Sequence, residues 1–380
     1  MTLALLLALV ACSGDDTSDE DLSSTDGTAT ETGGTETGTT ETGTAPFEPP
    51  TLRALHGGLV DGFVLVQGAD LVAKTQALAD AGEALCADPT DGALEAAQQA
   101  WRDVRAPWKA LEVVRFGPAM ELPYRISPKL DFWPARTSSV ETYIAGDGGI
   151  AVEDYDLMGG ATRGLPALEY VWFEGDVLEA LQADPRRCAY SAGLAADAHV
   201  LAQRYVDAWT DDWRARIVDP SSADDDAYTT DQEVLDEWVN RMAWTIEDIR
   251  YERLGKPMGD SAGGEPQYDT IESPFAEGAL RDVAAILDGV ELTFEGGDGQ
   301  LGVEALLPPG DPIRNAFRTE LALARDALLV VPEPLSVAVV DGRTEVAAVQ
   351  EALRDLQVVI QVDLAQALGV TIVFNDNDGD

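Results

Sequence analysis

A chain of 380 residues has room for about two ordinary domains, and 45% apolar against 25% charged residues describes a folded protein. Sixty-nine acids against 25 bases leave a formal charge of −44, which excludes sequence-independent binding to nucleic acid or anionic headgroups, because both need basic patches. The two histidines, His56 and His199, lie near no other candidate ligand or nucleophile in sequence, which disfavours His-rich metal sites and His-based triads.

The chain opens on an apolar run, Leu3 to Val10, too short for a bilayer that takes about 20 residues, so it reads as the core of a signal peptide. Leu9-Val10-Ala11-Cys12 resembles a bacterial lipobox, which predicts a signal peptide over 1–12 and a lipid on Cys12. The alternative is an ordinary signal peptide with an incidental cysteine. Ser13 after the cysteine predicts an outer-membrane anchor with the protein facing the periplasm. Residues 13–50 hold ten acids, no base and the repeat Thr-Glu-Thr-Gly at Thr30, Thr35 and Thr40. Such a stretch cannot bury enough apolar surface to offset its ordering entropy, so it predicts a disordered tether. Its r.m.s. reach as a flexible coil is about 35 Å. The folded part is expected over 51–380, where 59 acids face 25 bases.

From Thr51 onward apolar residues recur at spacings of three and four, which predicts helices over 52–86, 94–116 and 187–217, with a short one after Thr137. Pro107 lacks an N–H and is expected to kink or split the second of these. Asp231 is expected to cap a helix through Val234, Trp238, Met242, Thr245 and Ile249 that stops before Gly255. Ser273-Pro274 and Asp311-Pro312 each place a cap residue before proline at the first helical position. The last helix carries Val346, Val349, Leu353, Leu356, Ile360, Leu364 and Leu368 on one stripe and closes at Gly369. Residues 335–340 and 370–374 are β-branched runs, too few for a sheet-based domain. The pattern predicts an all-α fold of two helical bundles packed together, divided near residues 220–270. Cys86 and Cys188, an even pair in an exported chain, point to a disulfide, with two buried free thiols as the alternative.

Three stretches stand apart. Residues 101–136 hold seven bases against four acids, with three of the eight tryptophans and the turn signals Phe116-Gly117-Pro118 and Phe132-Trp133-Pro134. Glu112 and Arg115 share a helix face there; the bland reading is that such arginines neutralise acids on neighbouring helices. In Arg163-Gly164-Leu165-Pro166-Ala167-Leu168-Glu169, the proline is suited to open a helix, placing Glu169 in a first turn where the macrodipole favours a carboxylate. The C-terminus, Phe374-Asn-Asp-Asn-Asp-Gly-Asp380, invites a calcium-loop reading that fails on register, because the chain ends before the required glutamate.

Together these stretches resemble the imelysin family, the peptidase M75 group. The likeness lies in Trp101…Glu112…Arg115-Phe-Gly-Pro, Leu130-Asp-Phe-Trp-Pro134, Gly164-Leu-Pro-Ala-Leu-Glu169 and the C-terminal segment, with weaker similarity around Cys188, Leu254-Gly-Lys-Pro257 and Ser273-Pro274. It implies an all-α fold of two bundles with a site between them, and a place in the periplasmic lipoprotein branch. The family motif Gly-x-His-x-x-Glu underlies its proposed metallopeptidase activity, but here Pro166 stands at the histidine position and offers no lone pair. A metal would then rest on Glu169 with ligands such as Asp376 or Asp378.

Relatives are associated with iron-regulated uptake, so the resemblance implies iron or haem as cargo and an envelope uptake protein as partner. The expected protein is a non-enzymatic, lipid-anchored binding accessory. Its site would be lined by Glu112, Arg115, Asp131, Trp133, Arg136, Arg163 and Glu169, where arginines beside tryptophans suit a planar or anionic ligand. A metallopeptidase and a protein-interaction partner without a small ligand are the alternatives.

Overall fold

Apolar stripes at helical spacing dominate the chain, and the computed structural model, which describes residues 47–222 and 227–373, contains helices and no strand among those residues. Cys12, Asp376, Asp378 and all but the last four residues of the expected tether lie outside the described residues.

Helix α1 covers residues 52–87, passing from an α segment, Leu52–Leu59, through a π segment, Val60–Val64, into a second α segment, Leu65–Ala87. Thr51 caps it, its Oγ1 accepting from the Ala54 N–H at 3.2 Å. Helix α2, Asp91–Ala110, tightens into a 3-10 turn, Leu111–Val114. Pro107 lies inside α2 without splitting it, one turn before the 3-10 segment, so the missing donor falls where the helix is already changing geometry. Next come α3, Thr137–Ala145, and α4, Gly164–Phe173. Helix α5 covers residues 185–218, opened by Asp184 and Pro185 and interrupted by a π segment, Trp209–Trp213.

Helix α6 covers residues 231–258. Thr230 caps it rather than Asp231, because only Thr230 has a glutamate three residues on: its Oγ1 accepts from the Glu233 N–H, and Glu233 accepts from the Thr230 N–H, each at 3.2 Å. Gly255 does not lie beyond the end of α6. A π segment, Ile249–Gly255, carries the helix on to Gly259, whose φ of 78° ends it. Ser273-Pro274 opens no helix either. Ser273 has a φ of 49°, and α7, Ala279–Glu295, starts several residues later. Helix α8, Pro312–Leu329, does open on Asp311, whose carboxylate accepts from the Ile313 N–H at 2.9 Å. The β-branched run at 335–340 forms α9, Leu335–Asp341, since Leu335, Ala338 and Val339 give it a helical buried face. Helix α10, residues 343–368, contains the π segment Val359–Leu364 and closes at Gly369 with a φ of 64°. Beyond it, Asn240 of α6 holds the irregular tail, donating to Thr371 O and accepting from the Val373 N–H, both at 2.9 Å.

The helices form two bundles. In the first, α1 lies between α2 and α5, and α4 packs on α2 and α5; in the second, α6, α8 and α10 pack around a common core with α7. The Cys86–Cys188 disulfide, with a Cα separation of 5.5 Å, ties the end of α1 to the start of α5. It closes a loop of 102 residues, which in the chain-entropy account stabilises by about 5 kcal/mol through the unfolded state. The bundles meet chiefly where α7 crosses the end of α2. There Gly289 presses on the backbone of α2, and a Cβ at this position would lie 1.9 Å from the Ala110 carbonyl oxygen.

That contact generates a prediction with an informative sign. In an exposed helix Gly→Ala stabilises by up to about 1 kcal/mol. At Gly289 the methyl has no room, so Gly289→Ala should destabilise by about 1–3 kcal/mol. Chemical denaturation decides it, and a gain in stability would mean that the two helices are not held this closely.

Candidate functional site

Helical spacing places Arg105, Trp108, Lys109 and Glu112 along one face of α2 and its 3-10 extension, turned towards the second bundle. Three cations meet four carboxylates there. The Arg105 guanidinium forks onto Asp282 of α7 at 2.7 and 3.2 Å, donates to Asp131 at 2.8 Å and lies 3.3 Å from Glu272. The Lys109 ammonium donates to Glu112 at 2.6 Å, lies 2.9 Å from Asp131 and also bonds Glu272. Arg253, in the π segment of α6, closes the cluster onto Glu112 and Glu272. The Trp108 indole N–H adds a bond to Asp131 at 3.0 Å, and the Ser273 hydroxyl one to Asp282 at 2.7 Å. All seven charged side chains are largely withdrawn from solvent, with Arg253 the most exposed at 13%.

Burial and neighbouring charge pull on these groups together. It tends to raise the Asp131 carboxyl, but Arg105 and Lys109 outweigh it and hold the group well below the usual carboxylate range. Glu112 is likewise pulled down against burial by Arg253 and Lys109. Desolvation lowers Lys109, with help from Arg105, against the pull of Asp131 and Glu112.

Behind the cluster sits Glu169, 1% exposed. Helix α4 starts at Gly164, two residues ahead of Pro166, so Glu169 lies beyond the first turn and does not cap its own helix. Its Oε1 instead accepts from the N–H groups of Phe275 and Ala276, at 3.0 and 2.8 Å, in the turn that follows Ser273-Pro274. That turn holds two non-glycine residues at positive φ, Ser273 at 49° and Glu277 at 53°, and Glu169 pins its amides between them. Burial pushes the Glu169 carboxyl up to about 8, only partly offset by the two backbone bonds. Gly164 is required where α4 begins: its φ is 75°, and a Cβ would fall 2.3 Å from the Leu130 carbonyl, so this motif and the loop carrying Asp131 are in backbone contact.

In front of the cluster opens a cavity of about 720 Å³. Its deep wall is Glu112, Asp131, Glu272 and Arg253 with Trp108 and Tyr205, and its rim includes Arg115, Arg125, Phe132, Trp133 and Lys256. Of the residues expected from sequence, Glu112, Arg115, Asp131 and Trp133 meet in this cavity. Arg115 is 43% exposed and faces Asp248 at 3.4 Å. Arg136, Arg163 and Glu169 are not in its wall. Arg136 precedes α3 at the surface, its N–H bonded to Ala161 O at 2.8 Å. Arg163 is buried in the first bundle, bonded to both carboxylate oxygens of Asp197 at 2.7 Å, a pairing that ties the start of α4 to α5.

Sequence reasoning did not single out Arg105, Lys109, Arg253, Glu272, Asp282 or Tyr205. Arg105 and Lys109 stand seven and three residues before Glu112, a same-face spacing that was there to be read. Their partners Glu272 and Asp282 lie more than 150 residues away, and no local pattern marks them. Glu112, Asp131 and Glu272 offer oxygens within 4.8 Å of one another, the arrangement a metal needs, but the Lys109 ammonium bonds all three. A resident metal therefore does not fit without expelling Lys109. The motif position offers none either: Pro166 has no donor atom, and Glu169 is engaged by backbone amides. His56 bonds Asp231 O at 2.9 Å and His199 faces Thr75 Oγ1 at 3.3 Å, both away from the cavity.

Comparison with known proteins gives a consistent result. The sequence profile of the imelysin family, peptidase M75, matches residues 65–360. Iron-regulated protein A of Synechococcus elongatus is 26% identical over 315 residues, 78% of this chain and 83% of that one. Among solved structures, an imelysin-like protein from Psychrobacter arcticum superposes with a TM-score of 0.71 at 18% identity, covering 86% of this chain and 98% of its own. A candidate iron-regulated protein A precursor from Parabacteroides distasonis does so with a TM-score of 0.70 at 20% identity, covering 84% and 96%. At these identities the solved structures speak for the fold.

Two predictions follow from the ion cluster and its support. Lys109→Met leaves three neighbouring carboxylates without their shared cation, and should cost roughly 3–5 kcal/mol in chemical denaturation. Glu169 is raised in the folded state, so the stability tied to its neutral form is complete below the ordinary glutamate range and is lost as pH rises through about 8. Glu169→Gln mimics the neutral form at every pH. The melting temperature of the variant minus that of the wild type should therefore climb as pH is raised from about 5 to about 9; a flat difference would mean that Glu169 is ionised throughout.

Proposed function

The chain belongs to the imelysin family, and from that premise we propose that it is a non-enzymatic ligand-binding accessory of iron uptake, held in the cell envelope by a lipid on Cys12. The reading is carried by the cavity. At about 720 Å³ it has the size of a small-molecule site, and the aromatic residues Trp108, Phe132, Trp133 and Tyr205 share its wall with charged side chains of both signs. The names of the Synechococcus and Parabacteroides relatives supply the link to iron. Its cargo would be iron or haem, and its partner an uptake protein of the same envelope. The lipobox-like Leu9-Val10-Ala11-Cys12 supports an anchor, and Ser13 supports the outer membrane. No helix among the described residues is long and apolar enough to cross a membrane.

The metallopeptidase reading finds support in one observation, the grouping of Glu112, Asp131 and Glu272. Lys109 at its centre counts against it, because a catalytic metal needs those oxygens and a free coordination position.

The two readings part in one experiment. Protein extracted in detergent from its native envelope should carry a small molecule or iron species detectable by native mass spectrometry. Arg115→Gln, on the rim, should lose that ligand with little change in melting temperature, since Arg115 makes only a long, half-exposed ion pair. Stoichiometric zinc together with cleavage of unfolded protein substrates would sink the proposal in favour of the peptidase.

A further inference from the structure

The chemical class of the ligand can be read from which polar groups of the cavity are already engaged, given that the cavity is the binding site. Its carboxylates mostly are. Glu112, Asp131 and Glu272 are held by Arg105, Lys109 and Arg253; Asp248 faces Arg115, and Glu252 pairs with Lys256. Asp269, exposed on the rim, is the one lining carboxylate for which no ion pair is found among the described residues.

The two guanidiniums at the cavity mouth are in the opposite condition. Arg125 lines the mouth with no ion pair among the described residues, in a chain with 69 acids, and its backbone is held at a φ of 48°. Arg115, the second guanidinium at the mouth, keeps most of its donors unengaged. Positive φ at a non-glycine residue carries a cost that the surrounding structure must sustain, and such strain gathers at binding sites.

Size adds a constraint. A water occupies about 30 Å³ in the liquid, so a cation with one hydration shell fills only a fraction of this cavity. The engaged carboxylates, moreover, have little capacity left to strip that shell.

We propose that the cavity binds its metal cargo as a preformed, oxygen-rich anionic chelate, whose outer oxygens accept from Arg115 and Arg125 beside Phe132 and Trp133. The cation stays within the chelator, and no protein carboxylate coordinates it. The proposal rests on the binding reading above but can fail without it.

Ferric citrate is a suitable probe, with citrate alone and anaerobic ferrous ion alone as the other arms, titrated by calorimetry into the full chain. Ferric citrate should bind saturably and ferrous ion should not. Arg125→Gln and Arg115→Gln should each weaken ferric citrate about tenfold, the worth of one lost charged hydrogen bond. Neither variant should lower the melting temperature, because Arg125 is exposed and Arg115 makes only a long, half-exposed ion pair. If ferrous ion binds as tightly as the chelate, or if both variants leave chelate affinity unchanged, the chelate proposal is overturned. If no probe binds while a ligand of another class co-purifies, the proposal falls and the binding function stands.

Discussion

Arg105, Lys109 and Arg253 can be buried only because Glu112, Asp131, Glu272 and Asp282 are buried with them. The effective cost of withdrawing a single ion from water is several kcal/mol, and mutual attraction repays it only when the geometry is good and the remaining donors find acceptors. The cluster draws on α2 and its 3-10 extension, the π segment of α6, the start of α7, and two loops. Each element that supplies a charge is thereby fixed to the others, and the seam between the bundles is set by the demand that no member be left alone. Apolar packing holds each bundle together and continues across the seam; the ions add a demand on how the two are docked.

This division explains what the sequence disclosed. Spacings of three and four are local, so the long helices, the Asp311-Pro312 start and the Gly369 stop could be read directly. The π segments could not, because an extra residue in one turn leaves an apolar stripe nearly continuous. Ser273-Pro274 looks like a helix start for sound local reasons, yet Glu169, more than a hundred residues earlier, takes the amides that follow it. Glu112 and Asp131 stood out because the basic segment around them is unusual in so acidic a chain. Glu272 and Asp282 stood in no such contrast: two acids among 69 carry no signal until folding shows which cations they face.

The proline at the family's histidine position also takes on a physical meaning. Pro166 is fully within the buried part of α4, and Glu169, one turn on, serves the 273–278 turn from inside the protein. The motif here acts as a strut: Gly164 lets α4 touch the loop of Asp131, and Glu169 supports the turn next to Glu272. One short segment thus holds the two loops that deliver carboxylates to the cluster, while contributing nothing to the cavity wall itself.

The π segments bear on how such a protein can change. Each α1, α5, α6 and α10 contains one, where an additional residue is accommodated within otherwise regular helix. In ordinary helix, loss of one residue turns everything beyond it by about 100° and moves a buried stripe off its partner. Within a π segment the same loss can be absorbed by a return to α geometry. For α6 that tolerance has a limit, because Arg253 lies inside the segment and would be turned away from Glu112 and Glu272. Lineages of this fold are therefore freer to vary in helix length at 60–64, 209–213 and 359–364 than at 249–255, where the extra residue aims a charge.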